Sequence, residues 1–158
     1  VLFSDTIRNN IKYADRDASD DRMLYAAEMS NSRSFIEKLP EGYDTFLAQA
    51  GAGLSHGQRQ LLAIARAVYA DPKILILDEA TSSVDTRTEK KIQDAMINLM
   101  KNRTSLIIAH RLSTIRDADV IVVIKDGKVA ESGDHATLLS LGGEYAKLYS
   151  NQFAGVAT

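Results

Sequence analysis

Ile74-Leu75-Ile76-Leu77-Asp78-Glu79 is an unbroken apolar run that ends in two adjacent carboxylates. Four apolar residues between Pro72-Lys73 and a pair of charges read as a strand buried on both faces. The pleat points neighbouring residues differently, so the two acids at the strand tip can divide their labour. One can hold a divalent cation, directly or through water. The other can orient and deprotonate an attacking water. A strand ending in a solvated acidic turn would look the same, so the run alone leaves both readings open.

Helices flank this strand. Residues 55–70 place Leu61, Ile64, Ala65 and Val68 on one face, and Asp71-Pro72 ends that helix. Residues 86–100 are amphipathic, with Ile92, Ala95, Met96 and Leu99 at helical spacing. Residues 105–109 read as a second buried strand and residues 120–124 as a third. Lys125-Asp126-Gly127-Lys128 makes a tight turn, after which Val129-Ala130-Glu131 pairs back as a hairpin. Two short helices over 136–140 and 143–153 precede a frayed tail. Strands alternating with helices predict an α/β fold with a mostly parallel sheet. Ligands of such sheets bind beyond the C-terminal strand ends, where Asp78-Glu79 and His110 fall.

The first 53 residues differ. They are polar and helical in pattern, with expected helices over 6–13, 20–29 and 34–39, the last stopped by Pro40-Glu41-Gly42. No strand pattern stands out, so residues 1–53 are expected to form a small helical subdomain and residues 54–158 a second region.

Bulk composition narrows the function classes. The chain has 158 residues, 45% hydrophobic and 25% charged, an ordinary globular balance. A net charge of −2 gives no electrostatic footprint for nucleic acid. The absence of cysteine removes disulfides and thiolate metal sites. No apolar run approaches the roughly 18 residues of a membrane span. Val1 is not Met, and the apolar opening Val1-Leu2-Phe3 reads as a cut inside a larger protein.

Leu54-Ser55-His56-Gly57-Gln58 opens the first long helix. Ser55 and Gln58 fit a capping box, which is a complete structural explanation. The same helix start offers free N–H groups and a positive dipole end, and so suits an anion. Gly57 would let a phosphate approach the backbone. Thr86 and Glu89 fit a second capping box. Arg59 and Arg66 read as charges paired on helix faces, Met96 and Met100 as core or near-core filler, and His135 as a surface residue near a helix start.

The constellation is more specific than its parts. Residues 54–67, from Leu54-Ser55-His56-Gly57-Gln58 through Ala65-Arg66-Ala67, closely resemble the signature motif of ABC ATPases. The strand ending in Asp78 resembles the Walker B motif and is followed by Glu79. Ala80-Thr81-Ser82-Ser83-Val84-Asp85 is similar to the D-loop, and Ile107-Ile108-Ala109-His110-Arg111-Leu112 to the switch-histidine loop. Asp126-Gly127-Lys128-Val129 with Glu131-Ser132-Gly133 looks like the hairpin beyond it. Leu2-Phe3-Ser4-Asp5-Thr6-Ile7-Arg8-Asn9-Asn10-Ile11 resembles the segment after the Q-loop in exporters, and Leu39-Pro40-Glu41-Gly42-Tyr43-Asp44-Thr45 the stretch before their X-loop. Two positions depart from the pattern: His56 replaces the more common Gly, and Gln49 stands where exporters usually carry Glu.

The chain thus resembles the C-terminal part of an ABC-transporter nucleotide-binding domain of exporter type, a partial P-loop NTPase core with a helical subdomain. No G-x-x-x-x-G-K-[ST] occurs in the sequence. The resemblance implies ATP and Mg²⁺ as ligands. It implies a head-to-tail dimer with a second nucleotide-binding domain, and a transmembrane domain that holds the assembly at the cytoplasmic face of a membrane. Nucleic acid is not among the expected partners. By resemblance, Ser55, Gly57 and Gln58 touch the γ-phosphate bound on the partner domain, and Asp78 serves Mg²⁺. Glu79 is the general base for water, His110 contacts the γ-phosphate, and Asp85 lies at the dimer interface. The isolated chain is expected to be inactive. Two other readings stay open at this point. One is the C-terminal lobe of an SMC-like DNA-maintenance ATPase, which would call for a heptad run that is not seen. The other is a non-catalytic remnant.

Overall fold

The computed structural model describes residues 2–49, 51–78, 84–108 and 112–153. The chain divides into two compact units: Val1–Ile76 with Ser82–Leu106, and Leu77–Thr81 with Ile107–Thr158.

The first unit is built around one helix. Strand β1 (Asp5–Thr6) leads into helix α1 (Ile7–Ile11), whose N-cap Thr6 accepts the Asn9 N–H at 3.1 Å. A single 3₁₀ turn, Lys12–Ala14, ends it. Helix α2 (Asp20–Met29), over the range the sequence predicts, buries Met23, Ala26 and Ala27. Helix α3 (Arg33–Ile36) is shorter than its apolar pattern suggests. Strand β2 (Phe46–Leu47) then pairs antiparallel with β1, Asp5 opposite Leu47 and Thr6 opposite Phe46. This corrects the expectation of a strand-free N-terminal region. Two-residue strands are too short to show a period of two.

Helix α4 (His56–Ala70) follows, and α1, α2 and the later helix α5 (Thr86–Met100) all pack on it. Its buried face carries Leu61, Leu62, Ile64, Ala65, Val68 and Tyr69. Full burial of such side chains contributes about 1.5–3 kcal/mol each. Asp71 stops the helix in the left-handed region, at φ 50°. Its carboxylate pairs with Arg103 at 2.5 Å, which holds its carboxyl below the usual range. On α5, Ile92, Ala95 and Leu99 are buried while Met96 and Met100 are half-buried, so both methionines line the core edge.

Strand β3 (Ile74–Asp78) neighbours strand β4 (Thr104–Ile108) in a two-stranded sheet, and the Thr104 N–H reaches the Lys73 carbonyl at 3.3 Å. The sequence predicts both strands to be buried on both faces, and here the structure differs. Leu75 is 5% exposed, but Ile74 and Ile76 are 68% and 72% exposed, and Leu106 and Ile108 stand out similarly. An apolar run states what can be covered. It does not supply the cover, and among the described residues only one face of this pair receives it.

The second unit contains strands β5 (Ile121–Lys125) and β6 (Lys128–Gly133), an antiparallel hairpin with an irregularity between Val123 and Ile124. Asp126 and Gly127 at its tip have φ 50° and 72°, the two left-handed residues of a type I′ turn. Helices α6 (Leu112–Arg116), α7 (His135–Ser140) and α8 (Glu144–Phe153) complete the unit. Ile121, Val123, Leu138 and Tyr145 form its core. Glu131 reaches from β6 to the start of α8, where its carboxylate accepts the Glu144 and Tyr145 N–H groups at 2.5 and 3.1 Å. A carboxylate on the positive end of a helix offsets two otherwise unpaired donors. His135 is more than a surface residue: its Nδ1 lies 2.7 Å from the Tyr145 hydroxyl, and its ring packs against Tyr149.

Candidate functional site

The start of α4 carries three of the predicted site residues. Ser55 is the N-cap: its Oγ accepts the Gln58 N–H at 3.2 Å, and the Gln58 Oε1 accepts the Ser55 N–H at 2.9 Å. The capping box expected from sequence is therefore complete. It does not exhaust these side chains. The Ser55 hydroxyl proton and both protons of the Gln58 amide remain available as donors. The His56 and Gly57 N–H groups belong to the first turn, where no i−4 carbonyl exists. Ser55 and His56 are exposed. The helix end thus presents several donors at its positive pole, a donor set that suits an anionic phosphate oxygen.

Gly57 carries a packing constraint that its sequence context does not show. It is buried, and a Cβ placed on it would lie 2.3 Å from the Thr88 Cγ2 and 3.1 Å from the Val84 Cγ1. Glycine is required because α5 presses against α4, whatever approaches from solvent. Asp85 is the N-cap of α5 and accepts the Thr88 N–H at 3.0 Å. The Thr88 hydroxyl beside it and the backbone N–H hold the Asp85 carboxyl below the usual range. This corrects the reading of Thr86 and Glu89 as a capping box, since the cap sits one residue earlier. Ser55, Gly57, Gln58 and Asp85 are therefore brought together where two helix starts pack side by side.

Asp78 ends β3 with its side chain exposed. No group of three or more His, Asp or Glu side chains able to cage a metal occurs among the described residues. A single exposed carboxylate still fits Mg²⁺, which keeps its waters and binds through one or two carboxylates plus phosphate oxygens. Glu79 and His110 lie outside the described residues.

The hydrogen bonds described for Arg59 and Arg66 run to carbonyl and amide oxygens rather than to acidic side chains on a helix face. The Arg59 Nη1 donates to the Leu54 carbonyl at 2.6 Å, bracing the loop before Ser55. The Arg66 Nε donates to the Asn10 carbonyl at 2.8 Å, and its Nη2 to the Asn10 Oδ1 at 2.6 Å. Its guanidinium also lies over the rings of Phe3 and Tyr13. A partner 56 residues away leaves no local signal in the sequence.

A donor-rich helix start and an acidic strand tip suit a phosphate ligand, and the comparisons give the class of protein. The ABC transporter family profile matches residues 2–82, and the chain belongs to that family. It is 57% identical over 152 residues to the ABC transporter ATP-binding protein YfiC of Bacillus subtilis, covering 96% of this chain and 25% of that one. It is 54% identical over 152 residues to the ATP-dependent lipid A-core flippase of Desulfotalea psychrophila, covering 96% and 27%. A bacterial Atm1-family ABC exporter solved with ATP bound superposes with a TM-score of 0.84 at 45% identity, covering 96% of this chain and 27% of that one. The chain spans about a quarter of the length of the curated relatives it matches.

Proposed function

We propose that this chain is part of the ATP-hydrolysing domain of an ABC exporter, where ATP hydrolysis is coupled to moving a substrate across a membrane. The observation that carries the proposal is the start of α4, whose capping box leaves the Ser55 hydroxyl and the Gln58 amide free to donate at a positive helix end. The 96% span shared with a lipid A-core flippase supports an exporter over a DNA-maintenance ATPase.

Residues 1–53 act in this reading as the helical subdomain, and residues 54–158 as the C-terminal part of the ATPase core. Ser55 and Gln58 donate to the γ-phosphate of ATP held by a second nucleotide-binding domain, and Gly57 lets their helix seat on α5. Asp78 holds Mg²⁺, which supplies charge neutralisation at the phosphate oxygens when bound. Glu79 takes the proton of the attacking water, His110 contacts the γ-phosphate, and Asp85 fixes the start of α5 at the domain–domain interface. Phosphoryl transfer of this kind depends on positioning and charge more than on covalent chemistry. Among the described residues no helix is long and apolar enough to cross a membrane. The membrane connection is assigned to a transmembrane domain, with this domain on the cytoplasmic face. The sequence contains no P-loop motif to cradle the β- and γ-phosphates, so the isolated chain is expected to show no turnover.

Two substitutions at Ser55 in the intact protein separate capping from phosphate contact. Ser55→Ala loses the cap, at about 1 kcal/mol of stability, and lowers turnover per folded molecule about 10²-fold, the scale of one lost transition-state donor. Ser55→Asp keeps the cap but sets a carboxylate against the phosphate, so it retains stability and loses turnover. ATPase rates normalised to folded protein check this. Wild-type turnover in Ser55→Asp would remove the phosphate contact from the proposal.

A further inference from the structure

Helix α4 is clamped far from the end that carries Ser55. Arg66 makes two hydrogen bonds to Asn10, at 2.8 and 2.6 Å, and lies over both Phe3 and Tyr13, whose rings stack 4.7 Å apart. Asn10 is itself 1% exposed and fully engaged. Its Oδ1 accepts the Phe3 N–H at 2.9 Å, and its Nδ2 faces the carbonyls of Phe3 and Thr6 at 3.0 Å each. One turn on, the Tyr69 hydroxyl donates to the Asp15 carbonyl and Arg22 donates to the Tyr69 carbonyl, both at 2.5 Å. The second half of α4 is thereby fastened to residues 3–22. Its first turn packs on α5 at Gly57.

A guanidinium with two parallel donors fixes orientation as well as distance. Eleven residues separate Ser55 from Arg66, about 16 Å along a helix. A tilt of about 4° at the anchor would carry the Ser55 hydroxyl about 1 Å, and a misplacement of that size can cost about 10²-fold in rate. We infer that Arg66 is a positioning residue: by locking α4 to the segment Phe3–Tyr13 it sets the pose of Ser55 toward the nucleotide. The inference rests on the role proposed for Ser55.

The test uses the intact protein with ATP as the probe. Arg66→Lys keeps the charge and loses the two-donor geometry. Arg66→Met keeps the bulk and loses both. Each is expected to lower kcat per folded molecule at least about tenfold while leaving the KM for ATP within about twofold, because the nucleotide is gripped elsewhere. A lowered melting temperature with unchanged kcat would make Arg66 a stabilising residue only and overturn the inference, as would a change confined to KM. Should Arg66→Met fail to fold, Arg66→Lys decides alone. Ser55→Ala is measured alongside. If it too is silent, the reading of α4 as a phosphate site has failed; if it is impaired and the Arg66 variants are not, only the positioning role has failed.

Discussion

Replacing Glu79 with Gln in the intact protein is expected to reduce ATP turnover about 10³-fold while leaving ATP binding nearly unchanged. Gln occupies the same volume and still orients a water through its amide oxygen, but it cannot take the proton. The ground-state contacts that hold nucleotide do not involve that proton, so binding survives. Strand β3 ends in Asp78, and Glu79 is next in the chain. The resemblance to the Walker B motif gives the cation to Asp78 and the water to Glu79. Asp78→Asn should behave differently, raising the Mg²⁺ concentration needed for turnover. Equilibrium binding of labelled ATP beside steady-state turnover checks the pair. Wild-type turnover in Glu79→Gln would take the general-base role from that residue.

The second large effect is expected at Gly57. Gly57→Ala should destabilise the first unit by about 1–3 kcal/mol, the cost of forcing a methyl into a filled space. The obstruction is the Thr88 Cγ2, 2.3 Å from where the new Cβ must sit. Thr88 has little room to swing aside, because a β-branched side chain on a helix has few χ1 rotamers. Thr88→Ser removes the obstructing methyl and keeps the hydroxyl. The double variant Gly57→Ala with Thr88→Ser should therefore recover most of the stability lost by Gly57→Ala alone. Thermal unfolding of the intact protein and its variants provides the comparison. If the serine partner brings no recovery, the α4–α5 contact is not the reason for glycine at this position.

How far these features can be read from sequence follows from their range. Helices α2, α4 and α5 were legible nearly to the residue, because each has an amphipathic repeat and α4 and α5 carry a short polar cap. The Ser55–Gln58 box was legible for the same reason: three residues hold all of it. The pairing of Asp5–Thr6 with Phe46–Leu47 was not, since strands of two residues show no alternation. Strands β3 and β4 were found, but their burial was overstated, because hydrophobicity does not say which faces are covered. The packing constraint on Gly57 was not legible. It comes from Thr88, 31 positions on in the sequence. The anchoring of Arg66 was not legible either, because nothing near it in the chain points to Asn10.

The central claim is that the start of α4 faces a triphosphate gripped by another polypeptide stretch. The Glu79→Gln form of the intact protein, held with ATP and Mg²⁺, offers the direct measurement: an experimental structure of that state. The Ser55 hydroxyl and the Gln58 amide nitrogen should each lie about 3 Å from γ-phosphate oxygens, the reach of a direct hydrogen bond. A triphosphate bound with the start of α4 turned to bulk solvent, several water layers away, would contradict the claim.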